Sequence, residues 1–299
     1  MDAYAQMNVR SAEEIKGRLH IQFTGERGQD AGGLTRDFFI ELSREMFNPN
    51  YSLFILSSSG ATYYPNPKSH VERDHLRYFK FIGRILGKAL FDECLLECYF
   101  VKSLYKIMTG EPLHTSDLED FDNEFYNNLK WCLENDVACL MTTMVVEQDF
   151  FGKPEEIELV PGGRKIPVSN ENKHEYVEKL TYYKLYSSIQ KQVDAFLEGF
   201  YELIPKDLVG IFNYKELELL ISGLPNFDCK YSLSKILVDD LKANTEYSGY
   251  QHNSPQVQWL WEVLEVLENA ERAEFLQFVT GSSKVPLDGF KGLIGMRGP

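Results

Sequence analysis

Five cysteines in a chain of 299 residues, an odd number without paired motif spacing, argue against a disulfide framework and for a reducing compartment. Cys94 and Cys98 stand four apart in DECLLECYF, where one helical face would carry both. No second pair or histidine couple has the spacing of a zinc finger, so buried structural roles are expected and a metal is not. The sequence has no apolar run of membrane-span length, and its start, MDAYAQMNVR, lacks the charged head and apolar stretch of a signal peptide. An intracellular protein of the cytoplasm or nucleus, without a membrane partner, is expected. Basic residues are in deficit, with 31 Lys and Arg against 45 Asp and Glu and a formal net charge of -14. Nucleic-acid binding rests on cations neutralising phosphates, so nucleic acid is excluded as a partner and a basic protein surface is favoured.

Catalytic signatures are missing too. There is no G-x-S-x-G and no HExxH, and the six histidines are scattered, which leaves a hydrolase or metalloprotease without an anchor. GRILGK, from Gly83 to Lys88, departs from a phosphate loop because three residues separate its glycines and Ala89 replaces the serine or threonine. It lies in an apolar helical stretch, so its glycines are read as permitting close helix packing, and no cofactor is expected.

What is present is a globular composition, 43% hydrophobic and 25% charged, with room for two domains or one large and one partial domain. Ser11 to Glu14 reads as a capping box, and Leu19, Ile21 and Phe23 alternate as in a strand. A helix is predicted from Leu34 to Met46, closed by Asn48-Pro49, and two apolar helices within residues 75 to 109, FKFIGRILGKALF and LLECYFVKSLYKIM. Asp117 to Glu124 reads as a solvated acidic face able to guide a basic partner, with a subdomain boundary near residue 120. FYNNLKWCLEND resumes helical periodicity, and MTTMVV and IELVP form a small sheet. Ser169 or Asn170 would cap a long helix whose stripe of Ile189, Val193, Phe196 and Phe200 ends before Pro205. ELELLISGL is a further helix and residues 244 to 253 are a linker. Ser254 and Pro255 then open a helix with Val257, Leu260, Trp261, Leu264 and Leu267 on one face.

The blocks GQDAGGLTRDFF, EMFNPNYSLF, HLRYFKFIGRILGKAL, LLECYF, NENKHEYV, FLEGFYELIP, ELELLISGL, NTEY and LQFVTGSSKVPLDGF, in that order, resemble the successive blocks of a HECT domain. The chain is most similar to the very large ligases carrying UBA and WWE modules and to their fungal Tom-type relatives. The resemblance implies an α+β, mainly helical, bilobal fold. Residues 1–249 would form the N-lobe, with about 120–185 as the small subdomain that docks a ubiquitin-conjugating enzyme. Residues 250–299 would hold the hinge and an incomplete C-lobe, loosely held, its Trp259, Trp261 and Phe275 unburied.

The implied activity is that of an E3 ubiquitin-protein ligase, which takes ubiquitin from a conjugating enzyme as a thioester and delivers it to a substrate lysine; the partners are ubiquitin, the conjugating enzyme and a substrate the sequence does not identify. The family's catalytic cysteine lies in a Thr-Cys-Phe-Asn-like block beyond the turn that here ends in Gly298-Pro299. This chain as given is therefore expected to lack it and to form no thioester. By resemblance Phe125, Leu129, Met141 and Tyr176 form the groove for the conjugating enzyme, joined by Met144, and Tyr247, Ser248, Gly249 and Tyr250 the hinge. An insertion relative to the family, about Cys229 to Leu237, reads either as a surface loop or as an artefact of the gene model. The alternative is a non-catalytic module that binds a conjugating enzyme.

Overall fold

The computed structural model describes residues 2–25, 32–150, 153–223, 233–280 and 289–292. It is mainly helical with small antiparallel sheets, the α+β composition expected. The helices are α1 (Asp2–Asn8), α2 (Ala12–Lys16), α3 (Gly33–Met46), α4 (His75–Phe91), α5 (Lys102–Thr109), α6 (Asn123–Glu134), α7 (Lys173–Leu185), α8 (Gln190–Tyr201), α9 (Lys206–Val209), α10 (Tyr214–Ser222), α11 (Leu233–Ala243), α12 (Pro255–Val266) and α13 (Asn269–Thr280). Strands β1 (Phe54–Leu56) and β2 (Tyr63–Pro65) pair, as do β3 (Val145–Phe150) and β4 (Lys153–Glu158). The chain divides into two compact units, one of residues 1–46, 85–98 and 216–299, the other of 47–84 and 99–215.

In the first unit the capping box forms as read. Ser11 Oγ accepts from the Glu14 N–H at 3.3 Å, and the Ser11 N–H donates to Glu14 Oε2 at 2.7 Å. The Ser11 N–H, and then the Ser11 hydroxyl donating to Glu14 Oε2 at 2.8 Å, pull the Glu14 carboxyl below its usual range. The predicted strand around Leu19 to Phe23 joins no sheet among the described residues; Leu19 alone is buried there. Lys88 is wholly buried, its ammonium donating to the Gly17 carbonyl at 2.9 Å and to Asp92 at 2.7 Å. A lysine so placed braces the chain around its own helix rather than cradling a phosphate.

The second predicted helix of the 75–109 stretch is shorter than its periodicity suggests. The chain leaves α4 at Glu93, in left-handed conformation with φ 55°, and the Cys94 N–H turns back to the Ala89 carbonyl at 2.8 Å. Residues 94–101 are irregular, tied down where the Leu96 N–H meets the Ile221 carbonyl at 2.9 Å, so Cys94 and Cys98 share no helical face. Cys98 is fully buried, and burial, ahead of the Asp92 charge, pushes the Cys94 thiol up to about 11. Neither is poised as a nucleophile.

Further along, Val238 of α11 closes over Val257, Trp261 and Leu264 of α12. Trp261, expected to be left uncovered, is only 8% exposed and donates its indole N–H to the Tyr247 hydroxyl at 3.1 Å. Phe275 packs against the same cluster, whereas Trp259 stays exposed. Of the family insertion, Leu233 to Leu237 open α11; Cys229 to Ser232 lie outside the described residues, as do Gly298 and Pro299.

The second unit is organised around aromatic packing. Phe100 sets its ring edge-on to Phe47 at 5.5 Å and to Phe196 at 5.8 Å, and Phe47 stacks on Tyr63 at 4.4 Å. The stripe of Ile189, Val193, Phe196 and Phe200 is buried throughout, no member more than 1% exposed. Opposite it, α4 meets α8 backbone to backbone. A Cβ added at Gly83 would lie 1.8 Å from the Phe196 carbonyl oxygen, and one at Gly199 would lie 1.9 Å from that of Lys80. Lys80 with Glu198 and Glu202, and Arg84 with Glu202, pair along the seam.

The long helix predicted from Ser169 is two helices with a 3-10 turn at Ser187–Ile189 between them. The Lys184 carbonyl, which an unbroken helix would bond to the next turn, takes the hydroxyl of buried Tyr64 instead. The start also lies further on, because Asn172 occupies the N-cap and its Oδ1 accepts the Ser169 N–H at 2.8 Å. Asp117, predicted on a solvated face, is 1% exposed and pairs with Lys102 at 2.9 Å and Lys106 at 2.8 Å.

Candidate functional site

Residues 120–185 lie in the second unit, built from α6, α7 and the β3–β4 hairpin. Asp122 caps α6, its Oδ1 accepting the Phe125 N–H at 3.2 Å. Helices α6 and α7 run antiparallel, as their end contacts show. Lys184, near the end of α7, pairs with Asp122 at 3.2 Å, while Lys173, at its start, donates to the Asn135 carbonyl beyond the end of α6 at 2.7 Å.

The segment after α6 is pinned to the start of α7. Asn170 accepts the Val137 N–H at 3.2 Å and donates to Asp136 Oδ1 at 2.8 Å, and Asp136 also accepts the Ala138 N–H at 2.9 Å. The Ala138 bond, then that of Asn170, holds the Asp136 carboxyl below its usual range. Val137 plugs into the core at 1% exposure. The backbone then turns left-handed at Met141, φ 48°, and leaves that side chain 93% exposed beside exposed Leu140. On the far side the chain is anchored again, Met144 being buried and its N–H bonded to the Gly163 carbonyl at 3.1 Å.

The expected groove residues are thus placed unequally. Tyr176, in the first turn of α7, is half-buried; burial raises its phenol, against a smaller opposing effect of the Thr142 side chain next to Met141. Met141 and Tyr176 therefore share one end of the helix pair. Phe125 is half-buried at the other end, seven residues before Cys132, or about 10 Å along α6. Leu129, between them, is corrected to a core residue: at 3% exposure it faces inward with Cys132, because α6 turns this side toward the rest of the unit. Met144 is core for the same reason of burial. Exposed Trp131, Leu140 and Tyr182 went unread in the sequence, as did Lys184, whose ammonium lies 4.9 Å above the Phe125 ring. The pairing of Leu140 with Met141, four residues after Asp136, was the one local signal of an apolar loop tip.

The hinge residues lie in the other unit. Tyr247 is held by Trp261, Gly249 is left-handed with φ 79°, and Ser248 and Tyr250 are exposed. Among the described residues no group of three or more His, Cys, Asp or Glu stands together as a metal site, and no helix is long and apolar enough to cross a membrane.

The mainly helical architecture agrees with comparison to known families: residues 40–297 match the HECT-domain (ubiquitin-transferase) model, and the chain belongs to the HECT family. HECT-type ligases work with ubiquitin-conjugating enzymes and ubiquitin. Among individual proteins the chain is 50% identical over 300 positions to an E3 ubiquitin-protein ligase TOM1-like of Neurospora crassa, covering 99% of this chain and 7% of that protein. It is 51% identical to E3 ubiquitin-protein ligase HUWE1 of Mus musculus, covering 99% and 7%, and 46% identical to E3 ubiquitin-protein ligase TOM1 of Saccharomyces cerevisiae, covering 100% and 9%. These similarities fall in the Tom-type branch that the sequence blocks resemble. The chain spans less than a tenth of each of these relatives.

Proposed function

We propose that this chain serves ubiquitin transfer in a HECT-type E3 ubiquitin-protein ligase, and that its α6–α7 face docks a ubiquitin-conjugating enzyme. In this reading residues 1–249 are the N-lobe, about 120–185 its docking subdomain, and 250–299 the hinge and the beginning of the C-lobe, in a protein of the cytoplasm or nucleus. Bending would fall at Ser248 to Tyr250, since Tyr247 is tethered. Ubiquitin would pass from the conjugating enzyme to a ligase cysteine and on to a substrate lysine, each thioester step exchanging one sulfur for another before the amine attacks.

The observation that carries the docking assignment is Met141. An unbranched, polarizable side chain presented almost wholly to solvent, by a loop whose backbone is pinned on both sides, is arranged to be covered by another protein. Tyr176 beside it supplies a half-buried aromatic wall. The chain's charge of -14 favours a partner with a basic contact surface.

Calorimetric titration with purified conjugating enzymes tests this. Tyr176→Ala should cost roughly 2 kcal/mol, on the order of thirtyfold in Kd. Met141→Ala, at a site exposed enough to leave the fold intact, should weaken binding by about threefold to tenfold. Unchanged affinity in both variants would remove this face from the interaction. Leu129→Ala should act differently, destabilising the unit by about 2–5 kcal/mol through a core cavity, seen in denaturant unfolding.

A further inference from the structure

Phe125 is held at both backbone and ring by one carboxylate. Asp122 Oδ1 accepts the Phe125 N–H at 3.2 Å, and Asp122 Oδ2 pairs at 3.2 Å with the ammonium of Lys184. That ammonium lies 4.9 Å from the Phe125 ring centroid and 5.8 Å from that of Phe121. The backbone of Lys184 is itself anchored, its carbonyl accepting the hydroxyl of Tyr64, whose ring packs on Phe121 at 4.2 Å. A half-exposed phenylalanine at the start of a helix would otherwise sample several rotamers, and freezing it on binding would cost affinity. A cation over the ring face restricts it, and pairing with Asp122 keeps the cation there.

We infer that Lys184, fixed by Asp122, is a positioning residue that presets the Phe125 ring for the docking partner. The inference rests on the docking assignment above and adds a residue that touches the site without being one of its apolar contacts. Its effect should run through Phe125 alone, which separates it from a general contribution to stability.

The test is a double-mutant cycle in the 299-residue chain, read as Kd for a purified ubiquitin-conjugating enzyme. Lys184→Met, which keeps the apolar stem and removes the charge, should weaken binding about threefold to fivefold, and Lys184→Arg, which restores a cation over the ring, should bind within about twofold of the native chain. In a Phe125→Ala background, Lys184→Met should have no further effect. A second readout needs no partner: the ε-methylene protons of Lys184 should be shifted upfield in NMR spectra and lose most of that shift in Phe125→Ala, the more distant Phe121 ring leaving a smaller remainder. A Lys184→Met loss of equal size in both backgrounds, or one that arginine does not rescue, would overturn the inference while leaving the docking face standing. Unchanged Kd in Phe125→Ala with the ring shift present would show a brace that serves folding only, and would strike Phe125 from the docking face.

Discussion

Gly83→Ala is expected to destabilise the unit of residues 47–84 and 99–215 by at least about 3 kcal/mol, although alanine is the better helix former by roughly 1 kcal/mol. The added Cβ would stand 1.8 Å from the Phe196 carbonyl oxygen and 2.8 Å from its carbon, against an ordinary contact of about 3.5 Å. Both neighbours are backbone, so no side chain can swing aside. The helices must move apart, which loosens Phe196, Phe200 and the Glu202 pairs with Lys80 and Arg84. Gly199→Ala should do the same from the other side, its Cβ meeting the Lys80 carbonyl at 1.9 Å. Denaturant unfolding of the two variants measures it. A loss under about 1 kcal/mol in either would mean that α4 and α8 do not cross at this distance.

The other large effect is expected at Asp117. Its buried carboxylate faces Lys102 and Lys106 and accepts the His114 N–H at 2.9 Å, while the Tyr214 ring lies 5.2 Å from the Lys102 ammonium. Asp117→Ala would leave the nearly buried Lys106 charge without its counter-ion. The expected cost is about 3 kcal/mol, at the lower end for a broken buried pair because Lys102 remains partly solvated. Burial opposes ionisation of Asp117, but the Lys106 bond, the His114 N–H and Lys102 outweigh it and hold the carboxyl below its usual value. A carboxyl whose folded pKa is depressed stabilises fully above the unfolded pKa of about 3.9 and loses that contribution as pH falls through the folded value. The stability gap between native chain and Asp117→Asn should therefore be constant near neutrality and narrow below about pH 4. A gap that does not change with pH in urea titrations would contradict an ionised Asp117.

Several elements were legible because neighbours in sequence decide them. The Ser11 capping box is closed by Glu14, three residues away, and the Ile189 to Phe200 stripe follows from helical period alone. GRILGK is legible as a packing segment for the same reason: a glycine inside an apolar helical run lets its helix approach a neighbour closely, and Gly83 does so. The misses share an opposite cause. Tyr64 ends α7 from 120 residues away by taking the Lys184 carbonyl, so the periodicity that suggested one long helix was real but interrupted. Asp117 looked solvated because its lysine partners precede it by 15 and 11 residues on another helix. Trp261 is covered by Val238 and Leu241 of α11, which the spacing along its own helix α12 does not reveal.

The candidate site divides along the same line. Residue types and motif order along the chain were enough to identify a HECT domain, because motif order survives in one dimension, while Phe125, Leu129, Met141 and Tyr176 were offered as docking residues by the family resemblance and not by any local pattern. Only the folded chain decided that Leu129 turns inward, that a left-handed backbone lifts Met141 into solvent, and that Lys184 lies over Phe125. Exposure and ring contact depend on which distant segment arrives beside each residue, and a linear pattern carries no record of that arrival.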